Sequence, residues 1–155
     1  MTRNKLIYFI LFSLTLGQYC NGQTIKKDSL LKELRKTDWV ESKEVGFERK
    51  ISKIFMTAQL LIDICPVDSL VKLTSDSSSV VCCYAFLGLI QKNTDKKIVC
   101  DIANKHINDS TKVNAMWGDR GWTGTVGQYM ESQAKVYCID NKQNQPLDSI
   151  NVKEY

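Results

Sequence analysis

The chain has 155 residues and a formal net charge of +4, from 21 Lys and Arg against 17 Asp and Glu, with a single His. Basic and acidic residues are interspersed, with no basic stripe beyond doublets such as Lys26-Lys27 and Lys96-Lys97, so nucleic acid is not an expected partner. The length suits one domain that buries a core without help from a metal.

Thr2, Arg3, Asn4 and Lys5 precede a stretch from Leu6 to Leu16 that only Tyr8, Ser13 and Thr15 interrupt. A basic start followed by about eleven mostly apolar residues has the form of a secretory signal, too short to span a bilayer. Cleavage after Gly22, with Cys20 and Gly22 at the small-residue positions, would remove residues 1–22. A lipoprotein acylated at Cys20 is the alternative, against which stands the bulky Tyr19 before the cysteine. No later stretch reaches the ~20 apolar residues of a membrane helix. The expected destination is the periplasm or the extracellular space.

Asp28 or Ser29 offers a cap for a first helix carrying Leu30, Leu31 and Leu34, after which Asp38-Trp39-Val40 opens a loop to about Gly46. Ile51, Ile54, Phe55, Ala58, Leu61, Ile62 and Cys65 then form one apolar stripe of 3.6-residue period, the clearest helix in the chain. Pro66 stops it and suits the start of the next, with Val67, Leu70 and Val71 on one face. After a polar break at Thr74 to Ser79, Val80 to Ile90 is apolar nearly all round, so it predicts a buried central helix. Gly88 would admit a close neighbour.

Thr94 or Asp95 starts a further helix with Ile98, Val99, Ile102, Ala103, His106 and Ile107 on its inner face. Val113 to Thr125, rich in Gly and Trp, reads as an irregular connection, and Val126, Tyr129, Met130, Ala134 and Tyr137 as a last helix. The domain is expected to span 23–140, and a polar tail over 141–155 has Leu147, Ile150 and Val152 as docking points.

Short connections and no alternating strand pattern predict an all-α fold. The run SSVVCCYAFLGL, a short loop and the segment Ile98 to Val113 together resemble a HEAT-type repeat. The chain is similar to small exported proteins of Bacteroidetes-type bacteria with a CYAF-like helix, here Cys83-Tyr84-Ala85-Phe86, and a later helix start, here Val126-Gly127-Gln128-Tyr129. The resemblance spans roughly Ile51 to Tyr137 and implies a small right-handed stack of helical hairpins with a scaffold or binding role. Cys82 stands where the repeat usually carries Arg and Gln128 where an acid is common, a departure from the charge pairing that the resemblance implies between successive repeats.

Five cysteines remain once Cys20 leaves, none in a Cys-x-x-Cys pair, and one His accompanies them, so no metal or other cofactor is expected. In an oxidising compartment Cys65, Cys83, Cys100 and Cys138 are candidates for one disulfide, with small buried thiols as the alternative. His106 suits a helix C-terminus, and no motif surrounds Ser75, Ser77, Ser78 or Ser79 with a nucleophile's setting. Trp117, Asp119, Arg120 and Trp122 combine the residue types of binding hot spots, although both tryptophans also suit a lid over the last two helices. The expected function is therefore a non-catalytic protein-binding or scaffold domain of the cell envelope. An inhibitor or immunity-type protein, and a small hydrolase using Cys and His106, are the alternatives.

Overall fold

The computed structural model describes residues 25–139; the expected export segment, the Cys20 acylation site and the polar tail lie outside the described residues. Helix α1 occupies 25–34 and leads into strand β1, Trp39–Val45. A tight turn joins β1 to the two-residue β2, Lys50–Ile51, and four helices follow: α2 Lys53–Ile64, α3 Val67–Leu73, α4 Ser79–Gln91 and α5 Lys96–Lys105. Strands β3, Lys112–Gly118, and β4, Arg120–Thr125, form a hairpin that runs into α6, Val126–Ile139.

The all-α, HEAT-like expectation is overturned by a four-stranded mixed sheet of order β2-β1-β3-β4. β1 and β3 pair in parallel and the outer pairs are antiparallel. A parallel pair needs a long return, and here it carries β2 and the helices α2 to α5. The helices therefore gather around α4, with α2, α4 and α6 resting against the sheet, and do not form a stack of hairpins. Val40, Ala115 and Trp122 lie opposite one another across three strands, a row on the face turned toward the helices.

Helix α4 is the centre, as its lack of a polar face requires: Val80 to Phe86, Gly88 and Leu89 are all buried, and α2, α3, α5, α6, β1 and β3 surround it. Tyr84 of the CYAF run anchors it to the sheet, its hydroxyl accepting from Glu41 N at 2.8 Å and donating to Glu41 O at 2.9 Å. A Cβ on Gly88 would come within 2.8 Å of Ile62 Cγ1, which is how α2 approaches so closely. Ser78 caps the helix by accepting from Val81 N, and Asp76 accepts from Ser78 N at 2.9 Å. Asn93, at φ 50°, closes it: Asn93 N donates to Ile90 O and Thr94 N to Leu89 O, the paired bonds of a Schellman motif.

The start of α6 has an equally local cause. Thr125 N donates to Gln128 Oε1 and Gln128 N to Thr125 Oγ1, a capping box that a neutral amide completes as well as an acid. Gly127 is needed because the helix begins against the end of α5. Its amide donates to Asp109 O at 3.1 Å, and a Cβ would meet the carbonyl oxygens of His106 and Ile107 at 2.5 and 2.8 Å.

Candidate protein-contact site

Val45-Gly46-Phe47-Glu48-Arg49-Lys50 reverses the chain between β1 and β2. Arg49 N donates to Gly46 O at 3.0 Å to close the turn, with Gly46 at φ 75° and Arg49 at φ 49°. This leaves Phe47 at the apex, 92 % exposed, the least covered large apolar side chain among the described residues. An isolated apolar residue on a loose loop would mean little. This turn is braced: Gly46 N donates to Gly118 O at 2.7 Å, and Gly118 N donates to Ser42 Oγ at 3.1 Å.

Gly118 belongs to the second hairpin, where Trp117 pairs with Arg120 across the two-residue turn Gly118-Asp119. Its φ of 60° is the conformation a two-residue hairpin turn demands, and glycine supplies it freely. The parallel pairing of β1 and β3 thus brings both turns to one end of the sheet, with exposed Asp119 and Arg120 beside the Phe47 turn. Lys50 pairs with Glu48 at 2.6 Å, whereas Arg49, Asp119 and Arg120 form no ion pair among the described residues. The result is one aromatic anchor ringed by charges of both signs.

The structure separates the four residues named from the sequence. Asp119 and Arg120 stand at this tip, but Trp117 and Trp122 turn inward onto α6. Trp117 stacks on Tyr129 with centroids 6.2 Å apart and planes 5° from parallel, and Trp122 tilts against both rings at 6.2 and 6.3 Å. Gly124 gives Trp122 its place, because any Cβ there would collide with the indole. The tryptophans are therefore a partly covered lid that buttresses the hairpin. The expectation of an irregular connection is corrected here: Val113, Ala115 and Trp117 alternate on one face of a regular strand. Phe47 and Arg49 were not singled out from the sequence, although an aromatic flanked by Gly46 and a polar triplet was its available sign.

The cysteines are distributed without a common site. Cys100 and Cys138 are joined, tying α5 to the last turn of α6, while Cys65, Cys82 and Cys83 are free and buried. Burial raises the Cys65 thiol; burial together with Asp76 and Asp109 pushes Cys82 up to about 11, and burial holds Cys83 well above its ordinary value. Cys82 Sγ donates to Asp76 O at 2.9 Å. Thiolates are disfavoured at all three, which suits packing and not nucleophilic attack.

His106 caps α5 and sits 3.0 Å from Asp109 Oδ2 through Nδ1, but its Nε2 is buried without a hydrogen-bond partner. Among the described residues no thiol is hydrogen-bonded to it, so no Cys-His pair is formed there. Burial favours a raised Asp109 carboxyl, yet hydrogen bonds from Thr111 and His106 outweigh it and leave the group lowered. Among the described residues, no three Cys, His, Asp or Glu side chains converge as metal ligands, and no helix is long and apolar enough to cross a membrane. No protein-family model matches the chain, and no curated protein matches it in sequence.

Proposed function

We propose that this chain is an exported, non-catalytic protein-contact domain of the cell envelope or periplasm, and that it engages its partner through the paired turns at one end of the sheet. The observation that carries the reading is Phe47, 92 % exposed on a turn that a second turn braces by hydrogen bonding. With the turn backbone already braced, binding has only the two side-chain torsions of Phe47 to order, so much of the gain from burying its ring is retained as affinity. Covering one such aromatic is worth about 2 to 3 kcal/mol. Arg49, Asp119 and Arg120 around it supply orientation and exclude water from the anchor.

Phe47→Ala tests this. The side chain touches solvent, so the thermal midpoint stays within about a degree or two of wild type. Capture of the partner after in-cell cross-linking falls by roughly thirtyfold, the loss expected for a hot-spot aromatic. Capture that survives Phe47→Ala would place the contact elsewhere on the molecule.

A further inference from the structure

Helix α2 turns an outer face to solvent that no other described element covers. Lys53, Met56, Leu60 and Asp63 are exposed and fall within about 80° of arc at 100° per residue, one narrow stripe. Met56 and Leu60 are 45 and 43 % exposed, and Ile51, 54 % exposed, lies one residue outside the Ser52 cap, a third uncovered apolar side chain at that end of the helix. The stripe thus reads cation, apolar, apolar, anion along the helix.

The two charges oppose the helix that carries them. A lysine in the first turn and an aspartate in the last both meet the like-signed end of the macrodipole. Neither has an ion-pair partner among the described residues; Asp63 accepts only from Gln59 Nε2, at 3.0 Å. An antiparallel neighbour reverses both penalties, since it brings a negative helix end and a carboxylate to Lys53 and a positive end and an ammonium to Asp63.

We infer that the occupant of this face is a second copy of the chain, in a two-fold α2–α2 contact. An antiparallel pair centred at the level of Ala58 sets Lys53 opposite Asp63 of the second copy and Met56 opposite its Leu60, each pairing occurring twice. That self-complementarity is the requirement of an isologous interface. The same stripe facing an unrelated surface would have no reason to be symmetric about its own midpoint. One helix face is smaller than a standard interface of ~1,600 Å², so the dimer is weak, with a dissociation constant on the order of 100 µM.

Analytical ultracentrifugation of the exported chain from about 10 µM to about 1 mM tests the inference. Wild type shifts from monomer to dimer across this range. Lys53→Glu and Asp63→Lys, both at exposed positions and checked for native circular dichroism, each weaken association about tenfold or more through two like-charge contacts. An equimolar mixture of the two variants associates again, because each offers the charge the other lacks, and the double variant K53E/D63K recovers self-association. Leu60→Asp removes it. Monomeric wild type at the highest concentration, or self-association indifferent to both charge reversals, would overturn the inference.

Discussion

Trp122 is held by the absence of a side chain. Gly124 leaves room for the indole to lie over the strand and meet Trp117 and Tyr129, so the ring contributes packing to the hairpin and to α6 together. Trp122→Ala is accordingly expected to cost about 2 kcal/mol, measured as a lower urea midpoint, the value of a half-covered aromatic. An unchanged midpoint would mean that the indole is a free contact surface. Asp76 offers a test through pH. Burial alone would raise its carboxyl, but the Arg35 guanidinium at 2.6 Å and the Ser78 amide outweigh burial and hold it below the ordinary value. A carboxyl lowered on folding stabilises the fold above the unfolded value of ~3.9 and ceases to do so as pH falls through the folded value. Asp76→Asn therefore loses about 1 kcal/mol at neutral pH, modest because Arg35 is half exposed, and the gap to wild type narrows below about pH 4 in acid titrations followed by circular dichroism.

The amphipathic helices follow from periodicity because each buries a stripe of its own residues. Ala58, Leu61, Ile62 and Cys65 on one side of α2, and Val99, Ile102 and Ala103 on α5, are local patterns with local consequences. Strand β1 has no such pattern, since Val40 is its single fully buried residue and Glu41, Lys43 and Glu44 give it the look of a loop. Its partner β3 lies far along the chain, and a pairing across that distance leaves no trace in either segment alone. The second hairpin was legible in principle: Val113, Ala115 and Trp117 alternate, and Gly118-Asp119 is a two-residue turn signal. The same pairing carries Asp119 and Arg120 to Phe47, so the site was readable only in half. At this scale the Cys100–Cys138 link closes a segment of 38 residues and is expected to contribute about 4 kcal/mol by restricting the unfolded chain. C100S/C138S should lower the unfolding free energy by roughly that amount. Reducing agent should do the same to wild type and nothing to the variant.

The described residues form one four-stranded sheet, helices packed around the central α4 on its face, and two turns braced together at the end where β1 and β3 finish. The buried thiols, the partly covered aromatic trio and the capped helices pack the body from which the paired turns project. A two-fold contact through α2 would give each dimer two Phe47 tips, and two tips on one body raise the avidity of a modest single contact without any new one. The most direct test installs a photoreactive benzoylphenylalanine at position 47 and, separately, at exposed Asp101 on α5, followed by irradiation of intact cells. A discrete protein adduct formed from position 47 and absent from position 101 is the predicted result; no protein adduct at 47, or equal labelling from both positions, would contradict it.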